Sequence, residues 1–463
     1  MEKKIRSWDV FDTLIARRFI NNDFVLRTIE KNTNLKGFVS ARKSADNGTR
    51  SLLEIYETLA TSGVISKDQI HSLYRMEIDL EKEHTFALPV NMNRVSTGDL
   101  LISDMYLSGA DILELVRNAG LKTQVTIYQS NRDKSIGTIW QRVKDLGISV
   151  HCGDNERSDI ANAKEQNIET ELYKDSVLST KIENLFFKAG LGYLGCLLRE
   201  VRLSMNDIPK DKIEYVDVSN QVNLPWLLTV CEMLHRKHGD KNLVFLGRDC
   251  QLLYKLYNAV YTNAYYIPFS RKVAYAQPTE SINYLKSHMP PNSILVDISS
   301  TGATWEKICA LYPFPIEIVI YADVTHYSQT KPIIPNTFTY LTQKSVIGKS
   351  NEMVEVFNCA DHGVLSSLRD HNGVICAEYG ANEIDERLLH YIHLPIETAI
   401  KTIENYKPFL REEIGKLTQN NLIDLFSELL GAMCARTYLL EIMPDYIIKQ
   451  KEYTDQVAHA KNS

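Results

Sequence analysis

A short apolar-leaning segment, Ile5–Trp8, runs straight into an aspartate and a loop of turn formers, Asp9-Val-Phe-Asp-Thr-Leu14. A buried strand that ends in an acid sets that carboxylate where α/β sheets gather functional groups, as a nucleophile or a metal ligand. One such junction constrains little, because Asp is common where strands end. Three further pieces follow in order: Leu100-Leu101-Ile102-Ser103, then Lys134, then Gly153-Asp154 with Asp159. Apolar segments at 100–102, 125–128 and 150–152 alternate with helical patterns at 110–118, 136–144 and 159–166. That alternation predicts a parallel α/β sheet with its working residues at the carboxyl ends of the strands.

The rest of the chain divides by pattern. Residues 20–97 read as mainly helical, with Ser66-Lys-Asp-Gln69 fitting a capping box ahead of Ile70, Leu73 and Tyr74 at helical spacing. Residues 176–205 also read as helical and lead to a second unit beginning near Asp211. There, Leu243-Val-Phe-Leu-Gly-Arg-Asp249 is a strand-like run followed by a helical pattern through Tyr257. Ile294-Leu-Val-Asp297 is another, ending in the loop Ser299-Ser-Thr-Gly-Ala-Thr304. A doubly wound α/β domain closing near residue 375 accounts for these, and helical spacing resumes from Ile384 with Leu388, Leu389 and Ile392, then Leu422, Leu425 and Leu429. Those leucine-rich helices could form a dimer interface, although packing within the chain is the commoner outcome.

Bulk properties exclude some classes. At 463 residues the chain is too long for one ordinary core, so two or three domains are expected. A net charge of −6 argues against general nucleic-acid binding. No apolar run approaches the roughly 20 residues of a membrane span, and the N-terminus lacks the apolar stretch of a signal peptide. Eight cysteines without a Cys-x-x-Cys pair predict buried thiols in a reducing compartment, with the cytoplasm as the expected location. His84, His151, His362 and His371 have no spacing partners that suggest zinc, so satisfied or exposed histidines are expected.

Taken together, Asp9 to Leu14, Leu100 to Ser103, Lys134, and Gly153-Asp154 with Asp159 resemble the four motifs of the haloacid dehalogenase-like hydrolase superfamily. The resemblance covers roughly the first 190 residues. The stretches Trp-Asp-Val-Phe-Asp-Thr-Leu-Ile-Ala-Arg, Ile-Ser-Asp-Met-Tyr-Leu-Ser and His151-Cys-Gly-Asp-Asn-Glu-Arg-Ser-Asp are similar to a subgroup of predicted hydrolases encoded with bacterial surface-polysaccharide enzymes. Proteins of that subgroup tend to carry a second α/β domain with an element like Phe245–Asp249. The resemblance implies a Rossmann-like core over 1–19 and 98–190 with a helical cap at 20–97, then a helical connector at 191–212. It implies Asp9 as a nucleophile that forms an aspartyl-phosphate, Ser103 bonding a phosphoryl oxygen, and Lys134 as the neighbouring positive charge. Asp9, Asp154, Asp159 and the Phe11 carbonyl would hold Mg²⁺. The superfamily's general acid, two residues after the nucleophile, is Phe11 here. Either the leaving group needs little protonation, as in an anhydride, acyl phosphate or glycosyl-type phosphate, or Asp12 replaces the missing acid. An aromatic residue at that position also occurs in true haloacid dehalogenases, but Asp154 and Asp159 favour the metal-dependent phosphohydrolase.

In the second unit, Val296 to Thr304 looks like the diphosphoribosyl-binding loop of type I phosphoribosyltransferases, which implies such a domain over 213–378 and a helical C-terminal segment over 379–463. Asp297 would bond ribose hydroxyls, while Ser300, Thr301, Gly302 and Thr304 would receive a phosphate at a helix N-terminus. Arg248 and Asp249 could form the loop that takes diphosphate, with Arg271 or Lys272 above it. The same pattern fits a plain turn with a helix cap, and Val296 replaces the first of the two adjacent acids usual there. The leading expectation is a hydrolase acting on a phosphorylated nucleotide or sugar metabolite, without nucleic-acid or membrane partners; a homo-oligomer stays open. Two alternatives stand beside it: a phosphoribosyl- or glycosyl-transferase with an accessory hydrolase unit, and a catalytically weak ligand sensor.

Overall fold

The computed structural model describes residues 5–21, 23–323, 338–342, 345–347, 349–372, 374–382 and 384–441. The chain separates into two α/β units, Met1–Asp207 and Ile208–Ser463. The division falls inside the expected connector, whose helix Gly192–Ser204 belongs to the first unit.

The strands of the first unit are β1 (Ile5–Trp8), β2 (Ile15–Arg17), β3 (Thr85–Ala87), β4 (Leu100–Asp104), β5 (Thr126–Ser130), β6 (Ile148–Gly153) and β7 (Glu169–Leu172). Five of them form a parallel sheet in the order β5-β4-β1-β6-β7. The chain leaves β1 toward β4 on one side and leaves β6 toward β7 on the other. The crevice between β1 and β6 is therefore the switch point at which open α/β sheets bind ligands. Alternation along the strands assigns the two faces. Leu100 and Ile102 pack with Ile139, Trp140, Val143 and Ile148 on one side. Trp8, Leu101 and Cys152 pack on the other, in a cluster that continues through Ile29, Ile55, Tyr56, Leu73 and Ile78 of the inserted helices.

The insertion carries four main helices, Phe24–Thr33, Phe38–Ala45, Leu52–Thr61 and Ile70–Glu83. The Gln69 side chain accepts from the Ser66 N–H at 2.9 Å, as the capping box expects. The mainly helical expectation omitted the antiparallel pair β2–β3, which ties the insertion to the loop after Asp9. Inside the insertion, Arg42 donates to the fully buried Glu77 at 3.2 and 2.8 Å, and Tyr56 donates to the same carboxylate at 2.6 Å.

The second unit contains β8 (Asn242–Leu246), β9 (Ala264–Ile267), β10 (Ser293–Ser300), β11 (Ile316–Asp323), β12 (Phe338–Tyr340), β13 (Ser345–Ile347), β14 (Leu365–His371) and β15 (Val374–Tyr379). Its parallel sheet runs β12-β11-β10-β8-β9, with β13 also paired to β11. The switch point lies between β8 and β10, the two strands singled out by the sequence. The purely doubly wound expectation missed the antiparallel pair β14–β15, which turns at Asn372 with φ 57°. The C-terminal helices belong to this unit: Phe426 of Gln419–Cys434 packs on Trp226 of Leu224–His238, ring centroids 5.6 Å apart. Part of the expected C-terminal segment, residues 442–463, lies outside the described residues. No helix among the described residues is long and apolar enough to cross a membrane.

Breaking a buried pair strands its partner's charge, whereas an exposed pair contributes little. Glu77→Ala is expected to lower unfolding stability by about 3–5 kcal/mol, and removal of the exposed Arg75–Glu114 pair to leave it nearly unchanged. Chemical denaturation of the two variants checks the difference.

Candidate metal centre

The carboxyl ends of β1 and β6 bring Asp9, Asp154 and Asp159 together, with one carboxylate oxygen from each within 4.8 Å of the others. Asp9 follows β1 directly, and its N–H donates to the Cys152 carbonyl at 2.8 Å. Asp159 comes from the wide helical turn Glu156–Ala161, started by Asn155, whose side chain accepts from the N–H groups of Arg157 and Ser158. Gly153 is required where it stands, because a Cβ there would lie 2.3 Å from the Asp159 Cγ.

Lys134 closes the group. Its ammonium bonds Asp9, reaches Asp159 Oδ1 at 2.5 Å and donates to the Ile102 carbonyl at 3.2 Å. Three acceptors use its three hydrogens. The loop that carries it is braced by Asp104, which accepts from the N–H groups of Lys134 and Ser135 at 3.1 and 2.8 Å. Ser103 is buried at the end of β4, next to that Ile102 carbonyl.

Electrostatics distinguish the three acids. Burial, together with the charges of Asp159 and Asp154, pushes Asp9 up to about 8 despite Lys134. Burial and the Asp159 charge raise Asp154 to about 6. Burial opposes ionisation of Asp159 as well, but Lys134 and the His151 hydrogen bond outweigh it and hold that acid below its ordinary range. Three hard oxygen donors with an excess of negative charge suit a divalent cation, and the raised acids show what such a charge would relieve. The residues fit a metal ion.

Phe11 lies beneath the Arg17 guanidinium, 4.7 Å from its ring centroid, and its side chain offers no proton. Asp12 occupies the left-handed region at φ 57°. Arg199 reaches its carboxylate at 3.4 Å while also donating to the carbonyls of Ser176 and Arg17. Burial raises the Asp12 carboxyl against the pull of Arg199 and Arg17. Sequence reasoning missed Arg199, which lies in the helix read as a connector; His151, expected only to be satisfied or exposed, is buried and meets Asp159 at 3.1 Å.

In the second unit, Asp249 and Asp297 flank the β8–β10 crevice. Burial, Glu355 and Asp297 drive Asp249 up to about 8 against Arg248, and burial raises Asp297 to about 6 while the Trp305 indole bonds it at 2.8 Å. Ser300 and Thr301 accept from the N–H groups of Gly302 and Ala303 at 3.2 Å each, and Gly302 has φ 85°. Thr304 is the second residue of the helix Ala303–Leu311. Arg271 and Lys272, expected in a segment above the site, open the helix Arg271–Ala276, and Arg271 acts electrostatically on Asp297. Glu355, from the helix Lys349–Asn358, was not anticipated.

The chain matches no protein-family model and no curated protein sequence.

Because a cation must displace the protons that Asp9 and Asp154 hold, its affinity is expected to rise from pH 6 to 8 by roughly tenfold per unit and then level off. Calorimetric titration with Mn²⁺ at several pH values measures this, and Gly153→Ala, which displaces Asp159, is expected to weaken binding throughout.

Proposed function

We propose that the first unit is a Mg²⁺-dependent phosphohydrolase of the haloacid dehalogenase-like type. The observation that carries this reading is the meeting of Asp9, Lys134, Asp154 and Asp159, dispersed over 150 residues of chain, at one switch point. An Asp9 oxygen attacks phosphorus, the bond to the leaving group breaks, and water then cleaves the aspartyl-phosphate, returning the carboxylate and releasing phosphate. Mg²⁺, when bound by Asp9 and Asp154 with Asp159 beside them, supplies positive charge for the phosphoryl oxygens and keeps Asp9 ionised. Lys134 neutralises the same oxygens, and Ser103 is the expected hydrogen-bond donor at the end of β4.

The leaving group narrows the substrate. Phe11 cannot protonate it, and Asp12 is engaged by Arg199. Both features support substrates with a stable leaving anion, such as an acyl phosphate or an anhydride, within the class of phosphorylated nucleotide or sugar metabolites. The second unit's crevice suits a polyhydroxylated phosphate, with acids for hydroxyls and Arg248 and Arg271 for charge. This supports a second reading, in which ribosyl or glycosyl transfer occurs there; loss of activity in Asp297→Asn alone would favour it.

Phosphate release is expected to need Mg²⁺, to vanish in Asp9→Asn, and to be faster by roughly 10²–10⁴-fold on an acyl phosphate than on an alkyl monophosphate. Asp12→Asn is expected to leave the acyl-phosphate rate within about threefold, since that reaction needs no acid. Faster turnover of alkyl monophosphates would contradict the assignment.

A further inference from the structure

Ser7 and His151 are direct neighbours in the pairing of β1 with β6. Both are fully buried, and they lie on the sheet face otherwise filled by Leu100, Ile102, Ile139, Trp140, Val143 and Ile148. A polar pair in such a layer is costly unless its hydrogen bonds are made, and packing alone would be served by two apolar residues. The bonds are made, and they point at the metal centre. The Ser7 hydroxyl meets His151 Nδ1 at 2.8 Å, and His151 Nε2 meets Asp159 Oδ1 at 3.1 Å. An ionised carboxylate only accepts, so in the neutral imidazole Nε2 carries the hydrogen and Nδ1 accepts from Ser7. The ring is steadied edge-on against Trp140, 4.6 Å between centroids, and Trp140 is held by the Ser158 carbonyl at 3.0 Å.

Asp159 is thus held from three directions: His151 and Lys134 on Oδ1, and the Asn155 N–H on Oδ2 at 2.9 Å. Lys134 cannot serve every role at once. All its hydrogens are used by Asp9, Asp159 and Ile102, so an incoming phosphoryl oxygen must take one of them. We propose that His151, oriented by Ser7, is a positioning residue that keeps Asp159 in its cation-holding orientation, including when Lys134 turns to the phosphoryl group. This deepens the phosphohydrolase reading and rests on the metal centre it invokes. Partners of this kind behind a ligating carboxylate commonly set metal affinity.

The test is Mn²⁺ binding by the full chain, followed by calorimetry and electron paramagnetic resonance. Wild type is expected to bind and Asp154→Asn to lose binding. His151→Phe keeps a ring against Trp140 but removes both hydrogen bonds, and is expected to bind roughly 10- to 100-fold more weakly. His151→Gln, which restores an N–H donor, is expected to recover most of that loss. Should His151→Phe fail to fold, Ser7→Ala decides, because it frees the ring to turn: weaker binding supports the role and unchanged binding overturns it. Folded His151→Phe with wild-type affinity overturns the inference while leaving the metal centre intact, provided Asp154→Asn has lost binding. Wild type that binds no Mn²⁺ removes the metal centre and this inference together.

Discussion

Three carboxylates, two of them buried, gather around one buried ammonium, and most of the first unit can be understood as supporting that imbalance. Lys134 offsets one negative charge, and its contact with both Asp9 and Asp159 fixes the spacing of the acids. The remaining excess drives Asp9 and Asp154 toward their protonated forms. Buried charge arranged in this way costs stability. Surrounding bonds hold the groups in place, from Asp104 on the lysine loop to the Asn155 N–H on Asp159. Acids gathered this way without a cation would need little reorganisation to bind one.

The sheet delivers these groups by topology. Strands leaving in opposite directions from β1 and β6 open a crevice at their carboxyl ends, and each strand is followed at once by a carboxylate. The inserted helices extend the hydrophobic cluster of the sheet rather than forming a core of their own, so the loop after Asp9 is held between two packed layers. Arg199 adds a third restraint by bonding the carbonyls of Arg17 and Ser176 together with the Asp12 side chain. The second unit repeats the solution at β8 and β10, again with acids at the switch point. There the balance includes arginines, and the loop hydroxyls already accept from backbone N–H groups two residues on, as in serine and threonine turns.

The parts legible in the sequence were those governed by local pattern. Strands with short apolar runs, such as Leu100 to Ile102 and Leu243 to Leu246, stood out because both faces of a parallel sheet are buried. Asp9, Lys134, Asp154 and Asp159 could be chosen because their order along the chain resembles a known set of motifs. Their meeting around one lysine is a fact of the fold alone. His151 gave only a faint signal, a polar residue at an inward position of an apolar strand, and its partner Ser7 is 144 residues away. Arg199 and Glu355 gave none, since each acts across elements that sequence spacing does not connect. The β14–β15 pair carried a local sign, Asn372-Gly373, a dipeptide that favours tight hairpins, and the assumption of a wholly parallel unit obscured it.

The most direct test of the account is a crystal structure of the chain grown with Mg²⁺ and beryllium fluoride, a mimic of an acyl-bound phosphoryl group. The account predicts trifluoroberyllate on an Asp9 oxygen, the cation between Asp9 and Asp154, and Lys134 bonded to a fluorine with Asp159 unmoved. Beryllium fluoride bound elsewhere, or acids that hold no cation with Asp9 still tied to Lys134, would contradict it.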